Sequence, residues 1–247
     1  MHPSVAVVVV TIRALKAHCG RHRLVSGKDL PEEMLQENVE DVRDGAANLL
    51  KHLQIVRGFG ITPVVAVNVF PTDHDSEIEE VRRIAHDAGA RVAVCHPVTR
   101  GGEGCLDLAG AVVEACQDVG EPVSTRPAYE PQDDLRTKVA KLAALYGADG
   151  VDYTPAASRL LDAYERDGFG DLPVIVAKTP LSLSAEPGRK GVPTGWRLPV
   201  REVRLAAGAG YVYAICGSLS TMPGLSSYPA AERIDVDVDT GEIVGLR

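Results

Sequence analysis

The sequence predicts an α/β fold: a mostly parallel sheet with flanking helices, built from Rossmann-like βαβ units, with a smaller α+β part toward the C-terminus. Three observations predict it. Val5–Ile12 and Val64–Val69 are continuous apolar, β-branched runs, the pattern of strands covered on both faces of a parallel sheet. Between the second run and a third at Arg91–Cys95, apolar residues recur at Ile78, Val81, Ala85 and Ala88, the spacing of one helix face. A longer helical pattern joins the first run to the second, which gives the order β–α–β–α–β–α.

Taken in order, Arg13–Gly20 reads as a loop leaving the first strand, followed by a polar, charged stretch to Pro31. From Pro31 to Arg57, Val39, Val42, Ala46, Leu49, Leu53 and Val56 predict one helix, stopped by Gly58. Asn68–Asp73 leaves the second strand, with Thr72 or Asp73 as helix cap and Asp75 completing a capping box. His96–Gly104 leaves the third strand ahead of a helix with Leu106, Ala109, Val112, Val113 and Cys116 on its apolar side. Gly120–Pro127 is rich in turn formers and reads as a connection, so the expected division is an α/β domain over 1–120 and an α+β domain over 121–247. In the second part, helices are expected at Pro131–Tyr146 and Pro155–Arg166, a strand at Leu172–Lys178 and a long loop at Thr179–Thr194. Alternating residues run from Trp196 onward, with a hairpin turned at Asp239-Thr-Gly241. No internal repeat or low-complexity segment is visible.

Composition narrows the function. The chain has 247 residues and a formal charge of −8, which argues against nucleic acid as a partner, since that needs a basic face. The longest apolar run is far short of the roughly 20 residues that span a bilayer, so no membrane is expected. Five cysteines without a CxxC pair fit a reducing cytoplasm. No GxxxxGK[ST] segment occurs, so no P-loop for ATP is recognisable.

In parallel α/β units, ligands collect at the loops leaving the strands' carboxyl ends. Three such loops, Thr11–Gly20, Asn68–Asp73 and His96–Gly104, point to one side. Phe70, one of three phenylalanines, is either core beneath its loop or a ring offered to a planar ligand. Gly101, Gly102 and Gly104 precede a helix, where free N–H groups and Arg100 suit a phosphate or carboxylate, or form only a turn. Lys178 ends a strand and either faces an oxyanion or stands in water. His18 and Cys19 are neighbours, which rarely gives a nucleophile–base pair. Asp235, Asp237 and Asp239 share one strand face, more simply a solvated face than a cation site. No metal site is assigned.

Several segments then point the same way in order. Val9-Val-Thr-Ile-Arg-Ala-Leu-Lys-Ala-His-Cys-Gly20, Asn68-Val-Phe-Pro-Thr-Asp73, Gly101-Gly-Glu-Gly104, Tyr146-Gly-Ala-Asp-Gly-Val151, Ala177-Lys-Thr179 with Ser182-Leu-Ser184, Ala207-Gly-Ala-Gly210, and Thr221-Met-Pro-Gly-Leu225 through Asp235 resemble the formate–tetrahydrofolate ligases, and specifically their C-terminal half. The resemblance implies ATP-dependent joining of formate to tetrahydrofolate through formyl phosphate, giving 10-formyltetrahydrofolate. It implies ATP with Mg2+, often a monovalent cation, and a homotetramer. It also implies that the P-loop half lies outside this sequence, on a further segment or a partner chain. Phe70 matches one ring of an aromatic pair that sandwiches the pterin. With Pro71, Val94 and Val98 it would line the folate pocket, and Arg13, Lys16, His18 and Arg100 would be basic groups on the phosphate side. Gly101, Gly102, Gly104 and Lys178 would be phosphate-facing. Val98 stands where the family has tryptophan, Cys19 where it has glycine, and Pro180-Leu181 where it has a polar–aromatic pair. A chain lacking the P-loop half reads alternatively as a non-catalytic remnant that binds a folate-like ligand or assembles with a relative.

Overall fold

The computed structural model describes residues 3–22, 24, 30–119, 125–217 and 228–245. The chain separates into two compact units, 1–217 and 218–247. The break thus falls at 217, whereas the sequence suggested 120; residues 120–124, with most of the expected connection, lie outside the described residues.

Unit 1–217 contains two sheets. The first is parallel throughout, in the order β1 (Val5–Val10), β2 (Thr62–Asn68), β3 (Arg91–Cys95), with Val7 opposite Val64 and Ala66 opposite Ala93. β2 lies in the middle and Pro63–Val67 are buried without interruption, as a two-faced strand requires. β1 differs from expectation: it is an edge strand, and Val7 and Val9 are 43% and 63% exposed while Val10 is buried. The period-two geometry of a strand sends the two sets to opposite faces, and only one face of β1 is covered.

Helices connect these strands. Arg13–Gly20 was expected to be a loop but opens with α1 (Ile12–His18), whose N-cap Thr11 accepts the Ala14 N–H at 3.1 Å. The single helix expected over Pro31–Arg57 is broken: α2 (Glu32–Leu35) stops at Gln36, and α3 (Val39–Gly58) starts afresh on Asn38, whose side chain accepts the Asp41 N–H. α4 (Asp75–Asp87) is capped by His74 and Glu77, displacing the expected Thr72/Asp73 cap, because the Asp73 carboxylate turns back to accept the Phe70 N–H at 2.8 Å. After β3 come a single turn α5 (Pro97–Arg100), a 3-10 turn at Glu103–Cys105, and α6 (Leu106–Val119). The side of α6 expected to be internal is largely open, with Leu106 and Val113 exposed and Ala115 the one fully buried residue. The core here joins Val10, Ile12 and Leu15 to Val42, Leu49 and Leu53 of α3, the centre of β2, and Ile78 and Val81 of α4.

The second sheet is mixed. α7 (Leu135–Leu145), β4 (Val151–Tyr153), α8 (Pro155–Arg166), β5 (Val174–Ala177), β6 (Leu198–Ala206) and β7 (Tyr211–Cys216) give the strand order β4-β6-β7-β5, with β6 antiparallel to β7 and the outer pairs parallel. Its core gathers Leu135, Val139, Leu161, Trp196, Leu198 and Ala214.

In unit 218–247 the expected hairpin forms as β8 (Asp235–Val236) and β9 (Ile243–Val244). The Asp237 carboxylate accepts the N–H groups of Asp239 and Thr240, so it fastens the turn. Thr221–Leu225 lies outside the described residues.

Candidate functional site

The carboxyl ends of β1 and β2 bring Arg13 and Phe70 together. Thr11 ends β1 and caps α1, which places Arg13 in the first helical turn. Its guanidinium carbon lies 3.7 Å from the centroid of the Phe70 ring, within cation–π range, and its Nη2 reaches the Thr72 hydroxyl at 3.5 Å. Phe70 is held by a tight turn: its N–H donates to Asp73 Oδ2 and its carbonyl accepts the Asp73 N–H at 3.0 Å. Burial pushes the Asp73 carboxyl up, against the pull of the Phe70 N–H and the Arg13 charge. Phe70 is half-buried and Pro71 exposed. Two buried polar atoms at these strand ends, Arg13 Nε and Asn68 Oδ1, have no hydrogen-bond partner, and unsatisfied groups of this kind call for an explanation such as a ligand or water.

Val94 is half-buried against the first core. Val98, in α5, is 38% exposed. The glycine run after it is built for a tight turn. His96 N–H donates to the Gly104 carbonyl at 3.0 Å and Gly101 N–H to Pro97 O at 3.0 Å, while Gly101 takes φ +55°, a region that favours glycine. A Cβ on Gly104 would sit 2.5 Å from the His96 carbonyl oxygen, so that position is glycine because two backbones touch. Gly102 is exposed.

Two expected basic groups are otherwise engaged. Lys16 is 1% exposed and its ammonium is saturated by Glu77 Oε1 at 2.5 Å and the carbonyls of Met34 and Gln36 at 3.0 and 2.6 Å; it ties α1 to α4 and faces no phosphate. Arg100 points outward and pairs with Glu103 at 3.4 Å, apart from the Arg13–Phe70 contact.

His18 and Lys178 meet elsewhere. They border a cavity of about 490 Å3 lined by α3 residues Asn48 and His52, by Tyr146 and Trp196, and by apolar side chains including Leu142, Val176 and Leu183. His18 Nδ1 accepts the Gly191 N–H at 3.2 Å, and burial, then the Lys190 charge and His52, lower its pKa to about 4. Lys178 is half-buried, donates to Thr179 O and Ser182 O at 3.2 and 2.5 Å, and sits 5.2 Å from the Tyr146 ring; burial lowers its pKa. His52, Asn48, Tyr146 and Trp196 were not marked by the sequence as site residues. Trp196, the single tryptophan of the chain, was the one signal available.

One group of metal-type ligands occurs among the described residues, Cys19, His22 and Asp41, with candidate atoms within 4.8 Å of one another. The Asp41 carboxylate already accepts from Arg21 Nε and lies 2.7 Å from His22 Nε2. Burial raises the Asp41 pKa, but these two partners outweigh it and hold it low, so a cation already fills the acidic end of the group. All five cysteines are free. No helix among the described residues is long and apolar enough to cross a membrane.

The profile of the formate–tetrahydrofolate ligase family matches residues 1–247. The chain belongs to that family. It is 56% identical to a formate–tetrahydrofolate ligase of Cutibacterium acnes and 57% identical to one of Saccharopolyspora erythraea, in each case over 100% of this chain and 43% of the relative. A ligase of Roseiflexus sp. is 49% identical over 99% of this chain and 43% of its own length. The chain thus spans less than half the length of these relatives. The C-terminal placement was an expectation from the motifs, and the matched 43% does not bear it out.

Proposed function

We propose that this chain forms the tetrahydrofolate-facing wall of a formate–tetrahydrofolate ligase, and that the ATP-dependent making of formyl phosphate is done by residues outside this sequence. Phe70 is the stacking surface and Arg13 the cation beside it. The observation that carries this reading is the Arg13 guanidinium packed 3.7 Å from the Phe70 ring, with Arg13 Nε and Asn68 Oδ1 left unsatisfied at the same strand ends. An aromatic face with adjacent unpaired donor and acceptor atoms suits a planar heterocycle edged with both. Of the four basic groups expected on the phosphate side, Lys16 is paired with Glu77 and Arg100 with Glu103, His18 borders the separate cavity, and Arg13 is the one beside Phe70.

ATP, Mg2+ and the monovalent cation are assigned to the remainder of the enzyme. In support, the sequence has no GxxxxGK[ST], and the carboxylate of the Cys19–His22–Asp41 group is already taken up by Arg21. Homo-oligomerisation belongs to the same reading. The test mixes the full chain with the part of the Saccharopolyspora erythraea ligase outside the matched 43% and assays 10-formyltetrahydrofolate made from ATP, formate and tetrahydrofolate. Product that requires both chains supports the reading. Phe70→Ala should weaken tetrahydrofolate binding about five- to hundredfold, since base–aromatic stacking is worth roughly 1–3 kcal/mol; unchanged binding sinks the assignment.

The second reading, a non-catalytic folate-binding or assembly protein, is favoured by Val98 in the position of the family's second ring. It predicts tetrahydrofolate binding to the chain alone, without product in any mixture.

A further inference from the structure

The cavity bordered by His18, His52, Lys178 and Trp196 is not accounted for by the folate reading. Its volume, about 490 Å3, lies in the range of small-molecule sites. Its walls are mainly apolar, through Leu142, Val174, Ile175, Val176, Leu183 and Leu198, and no aspartate or glutamate lines it. Lys178 is the only lysine or arginine in the lining, and no carboxylate pairs with it among the described residues. Two of its three N–H groups are taken by the Thr179 and Ser182 carbonyls, which leaves one for a guest. A partly buried cation without a counter-charge at the edge of an apolar space is electrostatically incomplete.

The histidines add direction. Because His18 Nδ1 accepts from the Gly191 N–H, a neutral His18 must carry its proton on Nε2. His52 Nδ1 lies 2.8 Å from the Asn48 carbonyl, so that nitrogen donates to it. Trp196, 4% exposed, contributes an indole N–H with no acceptor in the same wall. Lys178 brings the one lysine or arginine charge in the lining and no carboxylate offsets it there, which selects against amines.

We propose that this cavity binds a small organic carboxylate with an apolar body, the carboxylate on Lys178 and the body against the Leu142, Val176 and Leu183 walls. One ammonium among apolar walls suits a monoanion of low hydration better than inorganic phosphate, which would leave most of its oxygens without donors. The site is distinct from the Arg13–Phe70 contact, so it stands whether or not the folate reading does.

The chain contains its own reporter, because its single tryptophan lines this cavity. Titrating hexanoate into the full chain at pH 7.5 should give a saturable change in tryptophan fluorescence, while hexan-1-ol and hexylammonium at the same concentrations give at least tenfold weaker responses. Lys178→Met should weaken hexanoate at least tenfold and Lys178→Arg should restore most of it, with circular dichroism checking the fold of each. Phe70→Ala should leave the titration unchanged. A response to the alcohol equal to that of hexanoate, a response to inorganic phosphate alone, or no saturable change with hexanoate overturns the proposal; none of the three needs a variant, so they do not depend on whether one folds.

Discussion

Lys16, on α1, is a buried ion whose partner, Glu77, comes from another helix. Breaking such a pair by removing one member leaves an uncompensated buried charge and costs about 3–5 kcal/mol. Lys16→Met is therefore expected to lower the unfolding free energy from urea melts by that much, with a matching fall in the midpoint, and Lys16→Met with Glu77→Leu to recover a large part. A single substitution costing under about 1 kcal/mol would show the pair to be solvated.

His18 gives a pH signature of defined sign. Its pKa falls from 6.5 to about 4 on folding, so the unfolded chain binds the proton more readily. The stability contributed by the neutral ring is complete above about pH 6.5 and is lost as pH drops toward 4. The ring is half in solvent, so screening reduces the effect to about 1–2 kcal/mol. Urea melts across pH 4–7 should show that slope in the wild type and a shallower one in His18→Gln. Neither role was legible in the sequence, because both depend on residues far away along the chain: Glu77 for one, Gly191 and Lys190 for the other. Phe70 stood out in the sequence, because a ring at a strand-end loop exceeds what helix entry needs, while its two readings, core or a ring offered to a ligand, depend on what surrounds it.

At the level of elements, β2 and β3 could be read from their β-branched runs, α4 and α7 from spaced apolar positions, and α8 from Pro155 in its first turn. α1 could not, because Ile12–His18 is too short to display a repeat and its buried face includes Lys16. The break at 36–38 was hidden inside a hydrophobic pattern that continues across it; Asn38 was the signal, as a good N-cap ahead of a helical run. Its loss should cost about 1 kcal/mol, so Asn38→Ala is expected to shift the unfolding midpoint accordingly, while Asn38→Asp changes it little. Gly104 is more demanding. Gly104→Ala pushes a methyl group into the His96 carbonyl, and the overpacking is expected to cost about 1–3 kcal/mol and to shift the amide resonances of the 96–104 loop. A spectrum unchanged in that loop would mean the contact relaxes freely.

For the whole molecule, the two cores were foreshadowed by the change of pattern near residue 120, but their membership of one compact unit was not. Whether two sheets cohere is decided by contacts between distant segments, and no local periodicity reports those. Residues 228, 229 and 231–245 are exposed, and both cores lie before 218. A chain ending at Gly217 should then melt within about 2–4 °C of the full chain, the shift that 1 kcal/mol produces at this size. A larger loss would assign a stabilising role to the last thirty or so residues.

Val7 and Val9 share the open face of β1. They stand exposed on a β-branched strand at the border of a parallel sheet, whose outer side has no partner strand among the described residues. Natural proteins guard such borders with lysine, proline or a covering segment, because an open one templates the addition of further chains. This chain has none of those residues between Val5 and Val10. Shelf life in concentrated solution should therefore be limited by sheet-to-sheet accretion more than by thermal unfolding, and Val9→Lys should slow the growth of light scattering while leaving the melting temperature nearly unchanged.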